Sequence, residues 1–121
     1  MKRYIKSSFD KNIAFAPIAV YDSYIDYCYK NLQGYYSEKL NDEDYEENIS
    51  AVKDSFEKEF NANFETTPVI LAYIGFVEFV FFKVNGKLYH LNEFDEFDEV
   101  TDSWLESLGC VTPLNEIYAV V

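Results

Sequence analysis

The sequence holds little of what usually announces chemistry: one histidine, two cysteines and four glycines in 121 residues. Each scarcity removes a class of function. Cys28 and Cys110 form no CxxC pair, and together with His90 they supply three of the four nitrogen or sulfur ligands that a structural zinc site takes. His90 stands on a predicted strand with no serine or cysteine motif around it, which argues against a triad or an activated nucleophile. The glycines form neither a GxGxxG nor a Walker A loop, so the common phosphate cradles are excluded. The acidic run Glu93-Phe94-Asp95-Glu96-Phe97-Asp98-Glu99 lacks the glycine and the alternating carboxylates of a calcium-binding EF-hand loop and reads as a solvated, charged loop. No cofactor and no metal are expected, and the chain reads as non-enzymatic. A small enzyme or metal-binding domain stays open as an alternative.

Long apolar stretches are also missing. The longest, Val69 to Val77, is about half a bilayer span. Met1-Lys2-Arg3 leads into alternating polar residues rather than the apolar centre of a signal peptide. These features predict a cytoplasmic protein, without a membrane partner and with reduced thiols.

What is present is apolar bulk and negative charge. Hydrophobic residues make up 49% of the chain and aromatics 19%, enough to offset the entropy of ordering and to exclude a disordered chain. The length predicts one domain over residues 1–121. Against 10 Lys and Arg stand 22 Asp and Glu, a net charge of −12. The excess is segregated: residues 38–59 carry a net −6, and from residue 88 onward there are eight acids and no Lys or Arg. Such a surface repels nucleic acid and anionic membranes and attracts a basic protein. The plainer role for the charge is solubility.

Periodicity predicts an α+β fold: a mainly antiparallel sheet of about four to five strands, two longer helices and one short helix, in the order β-α-α-β-β-β-α-β. The first strand is Lys2 to Ser7. A helix begins near Pro17, with Ile18, Tyr21, Ile25, Cys28 and Leu32 on one face and Gly34 as its cap. A second starts at Asn41 or Asp42, burying Tyr45, Ile49, Val52, Phe56 and Phe60. Thr67 to Ile74 and Phe76 to Val84 read as strands, the latter central and apolar on both faces apart from Glu78 and Lys83. Asn85-Gly86 predicts a hairpin returning over Lys87 to Asn92. Thr101 or Asp102 caps a short helix stopped by Gly109, and Glu116 to Val121 closes the sheet as a strand.

On the second helix, Glu43, Glu47, Ser50, Asp54 and Glu57 fall opposite the apolar stripe. At 1.5 Å rise per residue they mark a line of charge about 20 Å long, suited to an array of Lys and Arg that normally holds a nucleic-acid backbone. Asp95, Glu96, Asp98, Glu99 and Asp102 extend the negative surface. Tyr27, Tyr29, Tyr35 and Tyr36 cluster at the end of the first helix; Tyr35 and Tyr36 join the expected partner-binding set, because exposed tyrosine is favoured at interfaces. The same tyrosines could instead cover the seam between helix and sheet.

The opening Met1-Lys2-Arg3-Tyr4-Ile5-Lys6-Ser7-Ser8, with the small size and acidic charge, resembles small proteins carried by phages and mobile elements of Gram-positive bacteria. Among them it is similar to anti-CRISPR and antirestriction inhibitors of the DNA-mimic type. The resemblance implies an inhibitor seated in the basic nucleic-acid groove of a host nuclease, with Cas9 as the first candidate. Such inhibitors share no motif, so it assigns no residues. The same physics also fits an immunity protein neutralising a nuclease toxin.

Overall fold

Six strands pair antiparallel, each beside its neighbour in sequence: β1 (Arg3–Phe9), β2 (Asn12–Tyr21), β3 (Val69–Ile74), β4 (Val77–Val84), β5 (Lys87–Leu91) and β6 (Phe97–Glu99). Between β2 and β3 lie α1 (Tyr24–Tyr27), continued by a π-helical turn over Cys28–Leu32, and α2 (Asp42–Glu59). After β6 come α3 (Asp102–Ser107) and α4 (Leu114–Tyr118). The computed structural model describes residues 3–9, 12–32, 42–75, 77–94 and 96–119. The class is α+β, with six strands rather than four to five.

Alternation along the strands sends side chains into two cores. Ile5, Ile70, Ala72, Ile74, Phe81 and Leu88 meet Leu105 and Ile117 beneath α3 and α4. Val69, Leu71, Phe82 and Val84 meet Cys28, Val52 and Phe56 beneath α1 and α2. The sheet is thus the middle of three layers, which explains why β4 is apolar on both faces. Its two polar exceptions both have partners: Lys83 Nζ lies 3.9 Å from the Tyr118 ring centroid, and Glu78 accepts a hydrogen bond from Tyr27 Oη. The two cysteines are free, buried and in opposite cores.

Three local expectations are corrected. The segment from Pro17 to Tyr21 is strand, not helix. Pro17 pairs with Tyr4, and β3 pairs with β2 only from Ala19 onward, so the missing N–H faces a gap in the ladder. The helix starts instead behind Ser23, whose side chain accepts from Asp26 N at 3.1 Å while Asp26 accepts from Asp22 N at 3.2 Å. The acidic stretch after Asn92 contains the edge strand β6, pinned by buried Phe97. The expected closing strand from Glu116 is the helix α4; Asp102 Oδ1 takes its first backbone N–H, from Leu114, at 2.9 Å. The Gly34 cap lies outside the described residues.

Both sheet edges are closed to simple strand addition. Beside β1, Ser8 N donates to Gly109 O, Val111 N to Lys6 O, and Lys6 N to Thr112 Oγ1, each at 2.7 Å. At the other edge, β6 is three residues long, with exposed Asp98 and Glu99.

Candidate acidic binding surface

The helix α2 exists because apolar residues recur at its own period. Val52 and Phe56 are buried and Ile49 and Phe60 half-buried, while Glu46, Glu47, Ser50, Ala51, Asp54 and Glu57 are exposed. Phe56 anchors the inner face, with ring centroids 5.1 to 5.8 Å from Phe60, Phe64, Phe82 and Phe97. That packing fixes the helix's rotation and so the direction of its acids. Glu46, Glu47, Ser50, Ala51 and Asp54 line an open depression of about 530 Å³. From Glu47 to Asp54 the axial rise is about 10 Å. Among the described residues, Glu46, Glu47 and Asp54 have no ion-pair partner. Glu57 differs: it lies 3.9 Å from Lys53, which also holds Glu65 at 3.2 Å. The Glu43 side chain lies outside those described.

The second acidic block begins beside the first, since Phe97 of β6 packs on Phe56 and Phe60 of α2. Its carboxylates are largely engaged. Asp98 accepts from Asn92 Nδ2 at 3.0 Å and stands opposite His90, on the sheet face away from α2. Glu99 pairs with Lys87 at 3.3 Å, and Asp102 holds the start of α4. Glu93 and Glu96 stay exposed around a loop organised by Asn92, whose Oδ1 accepts from Phe94 N at 2.8 Å and Glu96 N at 3.0 Å. Asp95, Tyr35 and Tyr36 lie outside the described residues. Tyr27 belongs to the core beneath α1 rather than to the surface.

Sequence reasoning missed Asn92, Lys53 and Lys87 as organisers of this charge. Only the asparagine carried a signal, because its side chain favours turns that bond the backbone two residues on.

Groups able to do chemistry are occupied elsewhere. His90 stacks on Trp104 with Phe79 at its edge, and burial lowers its pKa despite the opposing pull of Asp98. Burial pushes the Cys28 thiol up to about 11 and also raises that of Cys110. Among the described residues no group of three or more His, Cys, Asp or Glu is placed to hold a metal ion, and no helix is long and apolar enough to cross a membrane.

Compared with protein-family models, curated proteins and solved structures, the chain matches none.

Proposed function

We propose that this chain is a non-catalytic acidic inhibitor that lays the outer face of α2 into the basic nucleic-acid groove of a nuclease. The observation that carries this reading is the set Glu46, Glu47 and Asp54: exposed on one rigid helix face and without a cationic partner among the described residues. Carboxylates held in line by a packed helix need little reordering on binding, and a basic groove supplies the charge they lack. Glu57, further along α2, and Glu96, in the loop before β6, are also exposed and complete the proposed set. Asp98 and Glu99 serve mainly to build the β6 edge that supports it, and Asp102 to hold the start of α4.

The test is competition with a purified RNA-guided nuclease of the Cas9 class, with and without guide and target DNA. Binding is expected to weaken steeply between low and high salt and to be blocked by preloaded target DNA. Combining Glu46→Lys, Glu47→Lys and Asp54→Lys should weaken it by tenfold or more, about 1.4 kcal/mol, while leaving the melting temperature nearly unchanged. Binding that ignores both salt and the triple reversal would remove α2 as the working face.

A further inference from the structure

Besides its two outer edges, the sheet has an inner one. β1 lies along β2 from Asn12 to Ile18, but β3 joins β2 only over Ala19 to Tyr21. Carried on past Ala19, that register would set Phe15 opposite Gly75, in the turn where β3 has already ended. The β1–β2 hairpin therefore runs out beyond its neighbour. Its hydrogen-bonding directions follow from β1, where Lys6 and Ser8 turn their backbone groups outward to Val111, Thr112 and Gly109. Alternation then turns Ile5, Ser7 and Phe9 toward β2, and their partners Ala16, Ala14 and Asn12 toward β1. Ile13 and Phe15 are left with N–H and C=O groups pointing away from β1. Among the described residues, none bonds them. The face beside this edge is apolar. Tyr4 pairs with Pro17 and Lys6 with Phe15, so the four share one face, on which Tyr4 is 51% and Phe15 66% exposed.

A bare strand edge beside exposed apolar side chains is a template for another strand. This edge is its own complement. Ile13 and Phe15 stand two residues apart, so an antiparallel copy sets each against the other residue of the second chain, with a two-fold axis at Ala14. Each pairing exchanges both main-chain hydrogen bonds, and Pro17, with no N–H to give, ends the ladder. Charge favours the same edge. Residues 1–37 carry five bases and three acids, a net +2, whereas the acidic excess lies in residues 38–59 and from residue 88 onward. Two copies of a −12 chain thus meet through the part that lacks the excess, where self-repulsion is least. We propose that β2 is the self-association edge of this protein: two copies pair antiparallel through Ile13 and Phe15 and join their sheets. The proposal rests on the register of β2 and is independent of the inhibitor reading.

The test is sedimentation of the full chain over a concentration series, with amide exchange followed by NMR. The mass is expected to rise from 14.2 kDa toward twice that value as the protein is concentrated, and more readily at high salt, which screens the repulsion between two acidic chains. Exchange should slow at Ile13 and Phe15 over the same range, while Ala14 and Ala16, turned toward β1, stay protected throughout. Phe15→Pro removes one outward N–H and leaves the β1 ladder whole, and Phe15→Lys places a charge on the edge at an exposed position. Each should weaken association by about tenfold or more. The dilute Phe15→Lys variant should melt nearly where the parent does. A mass of 14.2 kDa at every concentration would overturn the proposal, as would association that both variants leave untouched. Protection of the Ile13 and Phe15 amides in the dilute monomer would mean that the chain covers its own edge. Protection that arises only with the RNA-guided nuclease of the competition assay would assign the edge to that protein instead of a second copy.

Discussion

His90 and Trp104 lie face to face, 4.1 Å between ring centroids and 16° from parallel. The stack joins β5 to α3 and holds the histidine half-buried, where its neutral form is favoured. With its folded pKa below the ordinary 6.5, His90 contributes stability that is complete above about pH 6.5. That contribution fades on acidification, as the unfolded chain takes up a proton that the fold resists. Asp98 across the strand pair limits the effect. His90→Phe keeps an aromatic stack and cannot titrate. Urea melts at pH 7.5 and 5.5 are expected to show a smaller loss on acidification for this variant than for the parent; an equal loss would mean that the ring titrates normally.

Gly109 and Gly86 offer a matched test of backbone demands. Both have φ near +80°, but a Cβ on Gly109 would sit 2.5 Å from the Ser8 carbonyl oxygen, whereas one on Gly86 meets only the Tyr118 hydroxyl at 3.9 Å. Gly86→Ala should cost about 1 kcal/mol from conformation alone. Gly109→Ala should cost about 2 kcal/mol or more, because β1 must also move away. Denaturant midpoints of the two variants check the order.

Stability and binding should separate on opposite faces of α2. Phe56→Ala empties the meeting point of five rings and is expected to cost about 3–5 kcal/mol. Asp54→Lys, just over half a turn from Phe56 in projection and exposed, should stay within about 0.5 kcal/mol of the parent. Calorimetry on both variants, with a binding assay on the second, tests whether the acidic face is dispensable for folding.

The two thiols should be silent in the native protein. Both are buried, and Cys28 has a pKa of about 11. A colorimetric thiol reagent at pH 8 is expected to find neither cysteine within minutes, and both once denaturant is added. Rapid modification of either would show that its core opens easily.

The second helix and the Asn85-Gly86 hairpin were legible because their signals are local: a period of apolar residues and a pair of residues tolerant of positive φ. Pro17 misled because proline is at home both at the start of a helix and at an unpaired strand position, and the register of β3 decides between them. β6 stayed hidden because Phe97 is a single apolar residue among carboxylates, held in place by α2 rather than by its neighbours in sequence. The same limit applies to charge. The row on α2 follows from helix geometry, but the partners of Asp98, Glu99 and Asp102 are set by tertiary contacts. The sequence left Tyr27 open between surface and seam; the fold buries it and, 51 residues away, Glu78 supplies its hydroxyl with an acceptor.

The bond from Lys6 to Thr112 spans 106 residues. During synthesis the β1–β2 hairpin therefore leaves the ribosome long before the segment that will line its outer side. At synthesis rates of about 5–20 residues per second, that interval lasts several seconds or more. For that time the nascent chain exposes bare backbone donors and acceptors to any neighbour, and fast translation or chaperone shelter would guard against chains joining to one another.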